Sequence, residues 1–337
     1  MKIAFFEIEG WEKEVLRKAF PHDRLYFSPK KICLSDIRKI KDCEILTTFV
    51  NCKINRNTLQ SLPSLKYIAT MSTGYDHIDI GLCEEKGVKV SNVPFYGENT
   101  VAEYTFALIL GLSRKLLNNV NLVKEKKYHF WGYRGFDLQG KTLGVIGGGN
   151  IGQHVIRMAK GFEMNVLVFD VLKDTSLAKN LGFKYASLVR LLQESDIVTL
   201  HVPYNKHTHH LINKENLSLM KKSAYLINTS RGGIVDTDAL LKALKQKKIA
   251  GTGLDVLEHE HLMSRKKLRR DIKENDFKLF KENKELVNMN NVLVTPHAAF
   301  NTQEALMRIL QTTIDNIYSF KKVSSTGKGN IKNLVKH

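Results

Sequence analysis

The sequence predicts an α/β protein of two domains, each built on a parallel sheet. Its 337 residues are more than one hydrophobic core usually holds, which favours two domains. Short β-type runs alternate with helical runs along most of the chain, and this alternation is typical of parallel strands joined by right-handed crossovers. A glycine-rich turn between residues 147 and 152 follows one such β-type run and precedes a helical one, as in dinucleotide-binding folds.

The first α/β unit is predicted to close near residue 97, because the apolar β-type runs before that point alternate with helical ones. Pro94 ends its last strand, since proline cannot donate to a hydrogen-bond ladder. The predicted strands are Lys2–Ile8, Glu44–Val50, Leu65–Met71 and Val88–Val93, and the predicted helices are Trp11–Phe20 and Asn57–Leu62.

A long helix is predicted from Glu98 to about Lys127, and its apolar first part, Val101–Leu112, suits burial between two domains. A second α/β unit follows. The helix predicted at Thr302–Phe320 comes after that unit and should pack back on the first domain, and the lysine-rich tail from Val323 should be frayed. The strands predicted in the second unit are Thr142–Ile146, Asn165–Asp170, Asp196–Val202, Ala224–Thr229, Gly253–Val256 and Val292–Thr295, and a helix is predicted at Ile151–Lys160.

One connection in the second unit is much longer than the others. It has 35 residues between the strands ending at Val256 and beginning at Val292, where a plain loop in an α/β unit usually has about 2–6. The charged part of it, residues 261–291, is interpreted as a possible lid, and a disordered segment is the alternative.

Composition and charge narrow the functional classes. Hydrophobic residues make up 43% of the chain and charged residues 26%, which are ordinary values for a globular protein. The net charge is +18, but the lysines are spread along the chain without a nucleic-acid-binding motif, so we predict no nucleic-acid partner. The longest apolar run, Phe106–Leu112, is far shorter than the ~18 residues of a membrane span. The early acidic residue Glu7 and four cysteines without CxxC spacing predict a cytoplasmic protein with reduced thiols.

The strongest local pattern is a GxGxxG turn formed by Gly147, Gly149 and Gly152. The first glycine permits a tight turn, the second lets backbone N–H groups approach a pyrophosphate, and the third lets the helix close on the strand. Asp170 lies 18 residues after the last glycine, at the end of the next β-type run. A carboxylate there accepts hydrogen bonds from the ribose hydroxyls and repels a 2′-phosphate, which favours NAD over NADP, although Lys173 is close by. The alternative is a purely structural turn.

Three further polar motifs end predicted strands of the second unit, at residues 227–233, 253–260 and 294–300. Hydride exchange with a 2-keto acid needs a fixed cation on the carboxylate and carbonyl, which Arg231 can supply. It also needs a proton donor, for which His297 is suited, and Glu260 can keep that histidine protonated with support from Asp255. Taken one at a time, each residue also fits an ordinary surface or core position.

These motifs resemble those of D-2-hydroxyacid dehydrogenases. The resemblance rests on residues 229–233, on the spacing from Asp255 to Glu260, and on residues 296–300, and it extends to residues 71–79 and 93–103. It covers almost the whole chain. The pattern is most similar to the D-lactate dehydrogenase type, because a long insert follows Glu260 and because Tyr96 and Phe300 are present, although Asn150 stands where that type often has histidine.

The resemblance implies two Rossmann-like domains with a cleft between them. The flavodoxin-like substrate domain would comprise residues 1–99 and 299–337, and the NAD-binding domain residues 100–298. It also implies a homodimer formed through the NAD-binding domains.

The resemblance also assigns roles to individual residues. Arg231, Glu260 and His297 match the catalytic positions. Thr73 and Gly74 would bind the substrate carboxylate through their backbone, and Tyr96 and Phe300 would line the side-chain pocket. Cofactor positions beyond the glycines are matched by Asn150, Ile151, Asp170, Val202, Pro203, Thr208, Thr229, Ser230 and Asp255.

The function implied is NAD-dependent interconversion of pyruvate and D-lactate, with His297 as acid and base. Another D-2-hydroxyacid dehydrogenase activity, on a bulkier keto acid, glyoxylate or hydroxypyruvate, remains open. A different class also remains open, because some members of the superfamily are NADH-sensing transcriptional corepressors. The long insert and the lack of partner-binding tails favour the enzyme.

Overall fold

The computed structural model describes residues 1–263 and 274–335. The chain forms two compact units, Met1–Tyr96 with Thr302–His337, and Gly97–Asn301. Each unit contains one sheet in which every strand pairing is parallel, so the predicted α/β class with parallel sheets is confirmed. Within the described residues no helix has the length and apolarity that a membrane crossing requires.

The elements of the first unit up to residue 91 are β1 (Lys2–Phe6), α1 (Gly10–Ala19), β2 (Arg24–Ser28), α2 (Leu34–Ile40), β3 (Ile45–Thr48), α3 (Arg56–Ser61), β4 (Tyr67–Thr70), α4 (Ile80–Glu85) and β5 (Lys89–Ser91). The strand order is β2-β1-β3-β4-β5. The inner strands are buried on both faces, as in parallel sheets covered by helices. Strand β2, which the sequence analysis missed, lies at the edge and is mostly half-exposed.

The elements of the second unit are α5 (Glu98–Ser113), α6 (Leu116–Lys124), β6 (Thr142–Ile146), α7 (Asn150–Gly161), β7 (Asn165–Phe169), α8 (Thr175–Leu181), β8 (Lys184–Tyr185), α9 (Leu188–Glu194), β9 (Ile197–Leu200), α10 (Lys214–Leu219), β10 (Tyr225–Asn228), α11 (Thr237–Lys245), β11 (Gly251–Leu254), α12 (Glu274–Val287) and β12 (Val292–Val294). The strand order is β12-β11-β10-β9-β6-β7-β8. The chain moves outward in opposite directions from the neighbouring strands β6 and β9. Ligands of doubly wound sheets bind at such a switch point, beyond the carboxyl ends of the strands.

The prediction of one helix from Glu98 to Lys127 is wrong. Helix α5 ends at Ser113, and α6 begins at Leu116 after Lys115, which has a left-handed backbone with φ of 51°. Helix α5 packs on α7 and on strands β10 to β12, and its residues Ala102, Phe106 and Ile109 are buried there. The left-handed residue interrupts the helical hydrogen-bond ladder, so two helices form in place of one.

The last helix, α13 (Gln303–Thr326), belongs to the first unit and packs on β4. The rings of Tyr67 and Phe320 stack there, with centroids 4.3 Å apart. The prediction of a frayed tail is wrong for its end. Leu334 forms an antiparallel bridge with Ser91, and the Val335 N–H donates to the Val90 carbonyl at 2.8 Å. The end of the tail is therefore bonded to the edge strand β5.

The long connection after β11 contains two described elements. A single 3₁₀ turn covers Glu260–Leu262, and α12 packs on α11, where Lys245 pairs with Glu285 at 2.6 Å. Residues 264–273 lie outside the described residues. The interpretation of residues 261–291 as a lid therefore stays a prediction.

Candidate active site

The glycine turn after β6 has the geometry that a dinucleotide loop requires. Gly147 has a left-handed φ of 99°, and a Cβ atom there would lie 2.5 Å from the His201 carbonyl oxygen. A Cβ on Gly152 would lie 2.1 Å from the Gly147 carbonyl oxygen, so only glycine lets α7 approach the strand this closely. A Cβ on Gly149 would meet nothing within 4 Å. The space above Gly149 is open, so a phosphate group can approach the backbone at the start of α7.

Asp170 is held directly beside this turn, after the end of β7. Its Oδ2 accepts a hydrogen bond from the Gly148 N–H at 2.7 Å, and its Oδ1 accepts one from the Leu172 N–H at 3.0 Å. Asn150, the first residue of α7, donates through Nδ2 to Glu98 Oε1 at 2.6 Å. The glycine turn, the helix N-terminus and a fixed carboxylate together fit the pyrophosphate and the ribose of a dinucleotide.

Hydrogen bonds join the loop after β9 to the loop after β10 and also close the loop after β9 on itself. Ser230 donates through Oγ to the Val202 carbonyl at 2.5 Å, and Thr208 donates through Oγ1 to the Pro203 carbonyl at 2.6 Å. The Thr229 hydroxyl is buried and lies 2.9 Å from the Thr105 hydroxyl of α5. These bonds shape the loops, and the predicted cofactor contacts of these residues stay predictions.

Sequence analysis missed His201, which follows β9 at the switch point. Burial lowers the pKa of its imidazole to about 3, so the ring is neutral at physiological pH. Its Nε2 lies 3.0 Å from the Thr199 hydroxyl, and its buried Nδ1 has no hydrogen-bond partner within the described part of the chain. Its backbone carbonyl is the group that excludes a side chain at Gly147.

His297 and Glu260 form the pair that the sequence predicts. His297 Nδ1 lies 2.7 Å from Glu260 Oε1, and both side chains are partly exposed, at 29% and 42%. His297 has a left-handed backbone with φ of 54°, and its N–H donates to the Asp255 carbonyl at 2.8 Å. A carboxylate at this distance fixes the orientation of the ring and the position of its other nitrogen, from which a proton can be given to a substrate oxygen.

Asp255 organises the loop that carries His297. Its side chain is buried, and its Oδ1 accepts from the Thr295 hydroxyl at 2.6 Å and from the Ala298 N–H at 2.8 Å. Its Oδ2 accepts from the Ala299 N–H at 2.9 Å. These bonds go to the His297 loop and not to Glu260, so the expected support of Glu260 by Asp255 acts through His297. The cofactor contact predicted for Asp255 stays a prediction.

Arg231 follows β10 in an extended conformation, with φ of −140°. The Asn228 side chain donates to its carbonyl at 2.9 Å, and its own Nη1 donates to the Ser230 carbonyl at 2.9 Å. A Cβ on the next residue, Gly232, would lie 2.1 Å from the Leu257 carbonyl carbon. The backbone after Arg231 is therefore packed directly against the backbone that leads to Glu260.

The residues predicted to bind the substrate lie in both units. Thr73 and Gly74 follow β4 in the first unit, and their amide N–H groups donate no hydrogen bond to any described residue. The Ser72 hydroxyl donates to the Gly74 carbonyl at 2.7 Å, which fixes this turn. The Tyr96 carbonyl, also in the first unit, accepts from Arg308 Nε at 2.7 Å, whereas Phe300 belongs to the second unit.

Comparison with known proteins identifies the family. Residues 106–299 match the model of the NAD-binding domain of D-isomer specific 2-hydroxyacid dehydrogenases. The chain belongs to this family. Its second unit contains the NAD-binding domain, and NAD is its cofactor. No group of three or more His, Cys, Asp or Glu side chains suited to a metal ion occurs in the described ranges.

Three relatives illustrate the names that occur among the similar proteins. A glyoxylate reductase of Korarchaeum cryptofilum is 36% identical over 94% of this chain and 87% of its own length. A D-lactate dehydrogenase of Aquifex aeolicus, crystallised with NAD and lactic acid, superposes with a TM-score of 0.86 at 37% identity, over 99% of this chain and 98% of its own. The apo D-lactate dehydrogenase of Escherichia coli covers 100% of both chains with a TM-score of 0.84 at 32% identity. The family is therefore shown, and the keto acid is not decided by these names.

Proposed function

We propose that the protein is an NAD-dependent dehydrogenase of the D-lactate type that interconverts pyruvate and D-lactate. The observation that carries this proposal is the 2.7 Å contact between His297 and Glu260 beside the Arg231 loop, in the same unit as the dinucleotide turn. The Aquifex aeolicus relative, crystallised with NAD and lactic acid, supports the choice of a small substrate.

Each of the three catalytic residues, Arg231, His297 and Glu260, has a separate task. The glycine turn and Asp170 would hold NADH, which would supply the hydride. The Arg231 guanidinium binds the keto-acid carboxylate and polarises the carbonyl, for which its planar fork is suited. His297 donates a proton to the oxygen that becomes the hydroxyl, and in the oxidative direction it accepts that proton. Glu260 holds the ring of His297 through Nδ1, which leaves Nε2 to face the substrate.

The substrate contacts are proposed on the family pattern. The N–H groups of Thr73 and Gly74 would bind the carboxylate together with Arg231. On the same pattern Tyr96 and Phe300 would line the pocket for the side chain of the substrate, and aromatic side chains there favour an apolar substituent.

Initial rates with NADH and a panel of 2-keto acids test the proposal. We expect the highest kcat/KM with pyruvate among pyruvate, glyoxylate, hydroxypyruvate, 2-ketobutyrate and phenylpyruvate. Glyoxylate is the second candidate, because the Korarchaeum cryptofilum relative is named a glyoxylate reductase. A higher kcat/KM with glyoxylate would move the assignment to that activity. NADH binding without turnover on any of the five acids would favour a sensing module instead.

Replacing Glu260 by glutamine should move the alkaline limb of the pH–rate profile to lower pH. The neutral amide keeps the shape of the side chain but removes the charge that favours the imidazolium of His297, so the proton donor is lost at lower pH. The measurement is kcat/KM for keto-acid reduction across pH 5–10. Asp276→Asn is the matched control, because Asp276 pairs with the exposed neighbour His259 at 2.8 Å. If the alkaline limb lies at the same pH in Glu260→Gln and in wild type, the functional pairing of Glu260 with His297 is refuted.

Replacing Asp170 by alanine should relax the preference for NADH over NADPH. The carboxylate both accepts from the ribose hydroxyls and repels a 2′-phosphate, and alanine removes both effects. The ratio of kcat/KM for the two cofactors at saturating keto acid measures this. Asp174→Ala is the control, because Asp174 lies in the same segment but caps α8 by accepting from the Leu177 N–H. An unchanged ratio would make Asp170 only a structural partner of Gly148.

We further propose a cytoplasmic homodimer formed through the NAD-binding units. Leu116, Val120 and Val123 of α6 are 58%, 41% and 55% exposed on one helix face. Phe130 and Trp131 follow and are 74% and 71% exposed. Exposed apolar groups of this size mark protein interfaces. The four cysteines are unpaired and three are buried, which supports a reducing compartment.

Sedimentation should therefore give twice the mass of one chain. Leu116→Glu combined with Val123→Glu should give single chains, because charges on both ends of the apolar face oppose its burial. Val189→Glu on α9, a position 49% exposed, should leave the dimer intact. A wild-type protein that sediments as one chain would exclude the dimer.

A further inference from the structure

Glu258 lies two residues before Glu260, and its carboxylate is bonded on both oxygens. Its Oε1 lies 2.9 Å from His210 Nε2, and its Oε2 accepts from the Thr237 hydroxyl at 3.0 Å. Its side chain is only 15% exposed. His210 comes from the loop after β9 and Thr237 is the first residue of α11, so Glu258 joins two elements that are distant in sequence.

The backbone of Glu258 is held as well. Asn283, a fully buried residue of α12, donates through Nδ2 to the Glu258 carbonyl at 2.8 Å. The Leu257 N–H reaches Glu260 Oε2 at 3.4 Å, and the Glu260 N–H donates to the Leu257 carbonyl at 3.2 Å. The short segment from Leu257 to Glu260 is therefore fixed from α12 on one side and from His210 on the other.

The Arg231 loop contacts both His210 and the backbone of Glu258. The His210 N–H donates to the Gly233 carbonyl at 2.9 Å. A Cβ on Gly232 would lie 2.3 Å from the Glu258 nitrogen, so the two backbones are in direct contact. The backbone of His210 thus contacts the Arg231 loop. Its ring contacts Glu258, which lies in the segment that leads to Glu260.

We propose that Glu258 is a positioning residue, which sets the separation between Arg231 and Glu260 through its bonds to His210, Thr237 and Asn283. It acts through its neighbours and does not touch the substrate. This inference rests on the proposed function, because the separation matters only if both residues act on one keto acid. Errors of about 1 Å in such a separation can cost about 10²-fold in rate.

A second histidine–carboxylate pair beside the first could instead take part in proton transfer. The bonding of Glu258 argues against this, because both of its oxygens already have partners and its side chain is largely buried. The two roles predict different pH behaviour. A proton-transfer role would shift a limb of the pH–rate profile, whereas a positioning role lowers the rate at every pH.

The test compares Glu258→Ala, Glu258→Gln and His210→Gln with the control Asp276→Asn. Asp276 forms the neighbouring histidine–carboxylate pair with His259. The side chain of His259 is 51% exposed and that of Asp276 is 29% exposed. We expect kcat for the best keto acid to fall about 10–100-fold in Glu258→Ala. His210→Gln should show a similar loss, and Glu258→Gln a smaller one, because its amide can still bond Thr237. The dissociation constant for NADH and the alkaline limb should not change, and Asp276→Asn should keep wild-type kcat.

Amide hydrogen exchange of the same proteins gives a readout that does not need turnover. Peptides covering residues 228–236 and 255–262 should exchange faster in Glu258→Ala than in wild type, with peptides of β6 and α7 unchanged. If wild type reduces no keto acid, the proposed function fails, and the exchange result alone decides whether Glu258 fixes the two loops. Wild-type kcat in both Glu258→Ala and His210→Gln would overturn the inference, as would a displaced alkaline limb in Glu258→Ala. If Glu258→Ala does not fold, the His210→Gln comparison decides.

Discussion

Replacing His297 by glutamine should lower kcat for keto-acid reduction by about 10²–10⁴-fold, which is the usual contribution of a positioned general acid. Glutamine cannot give up a proton at neutral pH, so the hydroxyl oxygen would have to take its proton from water. NADH binding should change little, because the glycine turn and Asp170 follow β6 and β7 while His297 follows β12. Initial rates and a fluorescence titration with NADH measure the two quantities separately.

His259→Gln is the matched control for this prediction. His259 also has a left-handed backbone, with φ of 49° against 54° for His297, and its ring also pairs with a carboxylate, Asp276 at 2.8 Å. Any loss caused only by a changed side chain at a strained position should therefore occur in both variants. We expect near-normal kcat for His259→Gln. A rate for His297→Gln within a few-fold of that control would remove His297 from the mechanism.

The parts of the fold that the sequence predicted are those determined by local patterns. Strand β6 and the glycine turn after it depend on a short apolar run and on three glycines, and both occur where predicted. Elements that depend on distant neighbours were missed. Strand β2 has only one buried residue, Ser28, so its burial pattern does not stand out in the sequence. The tail pairs with Val90 and Ser91, more than 240 residues earlier, and nothing in its lysine-rich composition indicates this.

The residues of the site also divide into those that a local sequence pattern indicates and those that depend on distant neighbours. Arg231, Glu260 and His297 could be proposed because their chemistry is suited to the reaction and because each follows a predicted strand. The residues that hold them could not, since their roles depend on contacts across the fold. Asp255 bonds a loop about 40 residues later, and His210 meets Glu258 across 48 residues of chain. Such partners have no signature in sequence spacing, and only the packing of the strand ends shows them.

Replacing Asp255 by alanine should cause the largest loss of stability among the site variants. Three donors now bond its buried carboxylate, and two of them are the backbone N–H groups of Ala298 and Ala299, which cannot turn away to find water. A buried donor without a partner costs about 1–3 kcal/mol, so we expect the free energy of unfolding to fall by about 2–5 kcal/mol. In a unit of this size each kcal/mol lowers the melting temperature by about 2–4 °C. The expected decrease is therefore roughly 4–20 °C.

Activity should fall in the same variant, even at temperatures where it is folded. His297 lies inside the loop that Asp255 fixes, so its ring would lose its orientation toward Glu260. Calorimetry and kcat measured well below the melting temperature separate the two effects. Thr295→Val, which removes only the side-chain donor, is the control and should cost about 1 kcal/mol or less, because the valine leaves both backbone donors bonded to Asp255. If Asp255→Ala has the same melting temperature as Thr295→Val and keeps the wild-type kcat, other contacts hold the His297 loop, and Asp255 does not organise it.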